Sequence, residues 1–311
     1  MVAVGVTVAA CADAGEARQV SLANRVELPA VQTRHEISPS APELTPLRVA
    51  ITGLMTPSET LRGYGGFLRY LEERLGRPAR LVMAESYAEL NVLVQAQQVD
   101  LALVCPYPYI QGRRSFGMEL LTAIDDRGNA EHYSLLVVPR ESAATSLAHL
   151  QGRAFAFSDP DSNSGWLAPA DEVARSGRAP GQFFGRQVFT RYHTESLRAV
   201  ADHVVDGAAV DSLVYEYLAS NEPELVSRTR VIARWGPYPS PPFVVHPNLD
   251  AELKRRLRAI LLGMGDDPQG RQVLGSLLLD GFVATDDRAY DPIREMERRV
   301  RAATGLGVAG P

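Results

Sequence analysis

The chain has little cysteine and almost no lysine. Its two cysteines, Cys11 and Cys105, cannot build a disulfide framework, and their isolation excludes a four-ligand zinc ribbon. Lys254 is the one lysine beside 31 arginines, a compositional habit without functional weight. The 32 basic residues are outnumbered by 37 acidic ones, for a net charge of -5, which argues against broad nucleic-acid binding. Nowhere does an apolar run approach the roughly 20 residues a membrane-spanning helix needs. With 45% hydrophobic and 22% charged residues, the composition is that of a globular chain rather than a collagenous, coiled-coil or wholly disordered one. Its 311 residues exceed one comfortable core, so two lobes of roughly 100–200 residues are expected.

The opening segment, 1–11, is short and apolar and ends in Val8-Ala9-Ala10-Cys11. It resembles the end of a bacterial lipoprotein signal, in which the cysteine becomes the lipid-modified N-terminus, although the usual basic flank is missing. Residues 12–46 show no sustained period and carry Pro29, Pro39, Pro42 and Pro46. That composition buries too little apolar surface to offset ordering entropy, and suits a flexible tether.

From Leu47 the pattern alternates short strands with amphipathic helices. Leu47, Val49 and Ile51 alternate like a strand, and Phe67, Leu68, Leu71 and Leu75 share one helix face closed by Gly76. Strands at 79–83 and 101–104 and a helix at 87–97 complete the first run. The rhythm restarts with strands at 154–157, 187–190 and 208–211 and helices at 195–204 and 213–219. Such alternation predicts βαβ units, mostly parallel sheets and flanking helices. The remainder returns through Pro237, Pro239, Pro241 and Pro242 to a strand at 243–245 and helices at 251–262 and 292–301. Too small for a third domain, it is expected to complete the first lobe. The expected lobes are thus 47–134 with 240–311, and 135–239.

Ligands in open α/β sheets sit beyond the carboxyl ends of strands. Five loops therefore matter: 53–58, 105–109, 158–165, 192–195 and 211–212. Most informative is Asp159-Pro160-Asp161-Ser162-Asn163-Ser164-Gly165-Trp166-Leu167-Ala168-Pro169. Hydroxyls and an amide precede a helix, followed by a glycine that lets backbone approach a ligand, the makings of an anion site. An ordinary N-cap, with Ser162 or Ser164 closing its own helix, reads equally well from these residues alone.

This segment resembles the Asp-Pro-x-Ser-Thr-Ser-Gly-aromatic-x-x-Pro signature of the phosphonate, phosphite and phosphate solute-binding proteins of ABC transporters, with Asn163 in place of the usual threonine. Other stretches agree in order from Leu47 to Val283. Met55-Thr56-Pro57-Ser58-Glu59-Thr60 resembles the family's first loop, so Thr56 and Ser58 are ligand candidates. Within Cys105-Pro106-Tyr107-Pro108-Tyr109, Tyr109 falls where the family places a cleft aromatic. His193, in Tyr192-His193-Thr194-Glu195-Ser196, matches the ligand-facing histidine; Asp211 matches a ligand-contacting acid. The resemblance implies the two-lobed periplasmic binding protein fold, with the ligand cleft between the lobes. It implies capture of a small oxyanion by Thr56, Ser58, Cys105, Tyr109, Ser162, Asn163, Ser164, His193 and Asp211, for a membrane permease. No cofactor or nucleic-acid partner is implied, and the membrane is met only through a lipid on Cys11.

Cys105 divides two readings. As a buried small hydrophobe it is structural. As a soft ligand it would suit arsenite, and the chain also resembles an arsenite-binding sensor branch that signals to a histidine-kinase ectodomain. A hydrolase triad of Ser164, His193 and Asp211 can be drawn. It lacks the Gly-x-Ser-x-Gly elbow, however, and the six histidines show no metal-ligand spacing.

Overall fold

The structure is a computed structural model that describes residues 45–51, 56–126 and 128–305. Cys11 and its signal-like segment, nearly all of the expected tether and loop residues 52–55 lie outside the described residues. From Leu44 on, the chain forms one compact unit.

The chain first runs β1 (Leu47–Ile51), α1 (Pro57–Leu75), β2 (Ala79–Val82), α2 (Tyr87–Gln95), β3 (Leu101–Leu103), α3 (Pro106–Phe116) and β4 (Glu119–Asp125). There follow β5 (Glu131–Pro139), β6 (Ala154–Phe157), α4 (Ala168–Arg175), α5 (Pro180–Phe183), β7 (Arg186–Phe189), α6 (His193–Ala201), β8 (Gly207–Asp211), α7 (Ser212–Asn221), α8 (Pro223–Ser227) and β9 (Thr229–Pro239). Last come β10 (Pro242–Val245), α9 (Ala251–Leu262), α10 (Pro268–Ser276), β11 (Gly281–Val283) and α11 (Asp291–Thr304).

Two sheets result, in the orders β11-β4-β10-β3-β1-β2 and β7-β6-β8-β5-β9. β1 is parallel to β2 and β3, and β6 is parallel to β7 and β8, as the βαβ rhythm predicts. The sheets as wholes are mixed rather than mostly parallel. β5 enters from the first sheet and inserts between β8 and β9, antiparallel to both. Symmetrically, β10 enters from the second sheet and inserts, reversed, between β3 and β4. A strand that arrives without a helical crossover in its own sheet is free to run against its neighbours, and the rhythm of short βαβ units carries no sign of it.

Local sequence explains the ends that matter. Thr56 caps α1 in a reciprocal box with Glu59, whose carboxylate accepts the Thr56 main-chain N–H at 2.8 Å. Pro57 occupies the first turn and Gly76 leaves the helix at φ 69°, a left-handed conformation suited to glycine. β3 buries all three of its side chains, as a strand covered on both faces must.

Side chains borne by the two sheets' helices meet directly. Arg198 on α6 donates to the Glu59 carboxylate on α1 at 2.7 Å. Arg299 on α11 forks onto Asp171 of α4 at 2.7 and 3.0 Å. Gln111 on α3 reaches Asp161 at 2.8 Å. The lobes are therefore closed on one another over the loops singled out from sequence.

Candidate functional site

The loop after β6 holds the centre. Asp159 accepts the Asp161 N–H at 2.7 Å and, from across the cleft, the Tyr87 N–H at 3.3 Å, which fixes the turn. Ser162 caps the succeeding turn, its Oγ accepting the Gly165 N–H at 2.9 Å. That turn is π-type, Asn163–Leu167, before α4 proper begins. Gly165 is required by closeness: a Cβ there would stand 1.9 Å from Ser158 Oγ and 2.8 Å from His193 Cε1.

Cys105, the N-cap of α3, meets this turn from the other lobe. Its Sγ accepts the Asn163 N–H at 3.3 Å. Burial pushes its thiol pKa up to about 12 and the Asp211 charge adds to that, while the N–H groups of Asn163 and Ser164 and the Ser162 hydroxyl pull it back. At neutral pH the sulfur is therefore a protonated thiol at the positive end of a helical turn.

His193 begins α6 and is wholly buried. The main-chain N–H of Asp211 donates to its Nδ1 at 3.1 Å, so Nδ1 is the acceptor and the ring proton sits on Nε2. Nε2 faces Ser162 Oγ at 3.3 Å and Ser158 Oγ at 3.4 Å. Burial pushes the imidazole pKa down to about 4 against the pull of Asp211, which keeps the ring neutral.

Asp211 ends β8 and caps α7, its Oδ1 accepting the Leu213 N–H at 2.9 Å. Its Oδ2 accepts the Ser164 hydroxyl at 2.8 Å, and the Ser164 carbonyl is held by Ser134 Oγ at 2.6 Å. This geometry is not a catalytic triad. Ser164 bonds the acid rather than the histidine, and the histidine leans on main chain rather than on a carboxylate.

Six of the nine candidates named from sequence thus converge: Cys105, Ser162, Asn163, Ser164, His193 and Asp211. Tyr109 stands apart; its hydroxyl donates to Asp287 at 2.8 Å and its ring packs edge-on against Tyr290. Two residues earlier on α3, Tyr107 stacks on Trp166 instead. Thr56 and Ser58 lie at the α1 terminus, their hydroxyls 3.4 Å from each other, and pair there rather than with the cluster. Sequence reading missed Ser158, Tyr87 and His132, all buried at the cluster. His132 Nε2 lies 3.6 Å from Asp211 Oδ2 and 3.3 Å from Asn163 Nδ2. Among the described residues, no arginine or lysine donates to any of these side chains.

Two lobes clamped over neutral donors at a helix N-terminus define a clamshell solute-binding protein. Comparison with known proteins agrees. Residues 49–290 match the family of periplasmic substrate-binding proteins of ABC phosphonate transporters. The chain is 26% identical over 235 residues to the phosphonates-binding periplasmic protein of Escherichia coli, covering 74% of this chain and 69% of that one. It is 30% identical over 168 residues to the phosphate-import protein PhnD of Mycolicibacterium smegmatis, about half of each chain at 50% and 52%. The crystal structure of a binding-protein component of an ABC phosphonate transporter from Pseudomonas aeruginosa superposes with a TM-score of 0.78 at 25% identity, covering 85% of this chain and 90% of that one. The chain belongs to the phosphonate-transporter substrate-binding family. It is accordingly a binding protein and not an enzyme, it works outside the cytoplasm, and its partners are a small ligand and a membrane permease. No described helix is long and apolar enough to cross a membrane.

Proposed function

We propose that the chain captures a small oxyanion, namely phosphate, phosphite or a phosphonate, between its lobes and delivers it to an ABC permease. The observation that carries this reading is the convergence of His193 Nε2–H with the Ser158 and Ser162 hydroxyls at the start of the Asn163–Leu167 turn. All are donors, buried together at the positive end of one helix. Cys105, Ser162, Asn163, Ser164, His193 and Asp211 are the ligand contacts in this reading. Asp211 accepts from a ligand oxygen that still carries a proton. The moving bodies are 47–134 with 240–311, and 135–239, hinged where β4 leads to β5 and β9 leads to β10.

A second reading rests on Cys105, whose sulfur sits at the mouth of the same turn. A thiol there suits arsenite, forming S–As with loss of water, in a protein that reports to a histidine-kinase ectodomain. Calorimetry with inorganic phosphate, phosphite, methylphosphonate and arsenite separates the two. Micromolar binding of a phosphorus oxyanion that survives in Cys105→Ser supports the transport reading. Arsenite binding that Cys105→Ser abolishes supports the sensor, and silence from all four ligands rejects the oxyanion site.

Anchoring through a lipid on Cys11 belongs to the same proposal, supported by Val8-Ala9-Ala10-Cys11. Radiolabelled palmitate should enter the protein in bacterial cells and fail to enter Cys11→Ser; equal labelling of both defeats the anchor.

A further inference from the structure

Away from the ligand donors, α1 and α6 are joined across the cleft by an ion pair, each half of which is held in place by its own lobe. Glu59 stands in the first turn of α1, where its carboxylate accepts the Thr56 main-chain N–H at 2.8 Å, so the capping box sets its direction. α1 is itself seated on the first sheet, Phe67 stacking on Phe243 of β10 at 5.4 Å. Arg198 stands on α6, the helix that begins at His193 and packs on β8 of the second sheet. Glu222, between α7 and α8, accepts from its guanidinium at 3.1 Å on each carboxylate oxygen, and Glu195 lies 3.5 Å from its Nε. The two prepared groups meet at 2.7 Å, with the Glu59 side chain only 5% exposed and that of Arg198 31% exposed. Arg191 and Glu85 also cross the cleft, at 3.0 Å, but both are largely in solvent.

A fully exposed pair such as Arg191–Glu85 gains little, because two long side chains must be ordered and water screens their attraction. For Glu59 and Arg198 most of that ordering is done inside each lobe before the lobes meet. Parting them strands neither charge, since Glu59 keeps the Thr56 N–H and regains water while Arg198 keeps Glu222 and Glu195. The contact can therefore break and re-form, unlike a deeply buried pair whose rupture leaves an uncompensated charge. In the shut form the Glu59 carboxylate is almost withdrawn from water, so loss of Arg198 penalises that form above the open one. We propose that Glu59 and Arg198 are the latch of the clamshell, positioning residues that touch no ligand and set how long the lobes stay shut. By holding α6 against α1, the latch keeps His193 at the ligand through the helix that carries both residues. The proposal goes beyond the oxyanion reading and requires only that the lobes open and close.

The test is stopped-flow binding and release of inorganic phosphate by the whole chain. Trp166, stacked on Tyr107 across the cleft with ring centroids 6.3 Å apart, supplies a fluorescence signal for closure. Glu59→Met and Arg198→Met should each raise the dissociation rate about tenfold, the factor for one lost charge-assisted hydrogen bond, and change the association rate by less than about twofold. The double variant should release no faster than either single one, because both remove the same contact. Glu59→Gln, which keeps the cap and a neutral acceptor for Arg198, should release about threefold faster and serves should the methionine variants not fold. Arg191→Gln should release as the wild type does. Unchanged dissociation in the Glu59 and Arg198 variants overturns the latch. So do effects that multiply in the double variant, or an association rate that falls as far as dissociation rises, the mark of a merely structural role. Failure of phosphate to bind the wild type rejects the oxyanion reading alone, and small-angle X-ray scattering of the unliganded chain then decides. A larger radius of gyration for Arg198→Met than for the wild type supports the latch, and superposable profiles overturn it.

Discussion

Gly165→Ala should abolish ligand binding, with affinity falling at least about a hundredfold. The new Cβ would overlap Ser158 Oγ at 1.9 Å and crowd Ser158 Cβ at 2.9 Å and His193 Cε1 at 2.8 Å. None of these can yield freely. Ser158 and His193 are both wholly buried, and His193 is pinned from its far side by the Asp211 N–H. Overpacking of this kind costs about 1–3 kcal/mol, which lowers stability but leaves a folded protein in most domains. In the proposed oxyanion site the displaced groups are the donors themselves, so binding should suffer more than folding. Thermal melts beside calorimetry would show it; a Gly165→Ala protein that melts normally and binds normally would mean that the turn and His193 do not grip the ligand.

The second large effect is on stability against pH. His193 has a folded pKa depressed to about 4 by burial, against 6.5 for a free imidazole. A neutral ring costs nothing above the unfolded value. As pH falls from 6.5 toward 4, the unfolded chain takes up a proton that the native ring refuses, and stability is lost. The full loss is about 3 kcal/mol by proton linkage, complete near the folded pKa. Carboxylates held down by partners, such as Glu297 and Asp287, lose their contributions only below their ordinary range, under 4.5 and 3.8. Asp159, whose pKa burial raises, works in the opposite direction as pH falls. Urea unfolding of the wild type and His193→Gln across this window isolates the histidine. The difference between them should shift by about 3 kcal/mol in favour of the variant from pH 7 to pH 4; parallel curves would mean the buried ring protonates without cost.

Much of this arrangement was legible in the chain itself. The βαβ rhythm places β1 to β3 and β6 to β8, and the loop from Asp159 to Pro169 declares a helix start with unusual polarity. His193 and Asp211 emerge from their resemblance to a ligand-binding pattern. The residues that escaped did so for physical reasons. Ser158 reads as the first residue of the polar loop 158–165, just ahead of the signature, and Tyr87 as the first residue of an amphipathic helix. In β5, the burial of His132 and Ser134 between exposed Glu131 and half-buried Tyr133 is a two-residue alternation in which the inward positions are polar. That inversion of the usual pattern was the available signal, and it points inward only once the strand is known to pair with β8. β9 was hidden by Pro237 and Pro239, which suggest a loop; an edge strand tolerates them because one side of its backbone needs no partner.

The lack of arginine and lysine at the cluster has a kinetic side. A cationic cleft draws anions from a distance, and its encounter rate falls as salt screens the field. Here the donors are neutral dipoles whose reach ends within a few ångströms, Asp211 adds a negative charge at the centre, and the chain as a whole carries -5. An anion therefore arrives by undirected diffusion against a weak repulsion that salt relieves. Selection is exercised only after arrival, in how long the lobes stay shut. Such a protein trades speed of capture for residence time, and its capture rate should rise a little, rather than fall, from fresh to brackish surroundings.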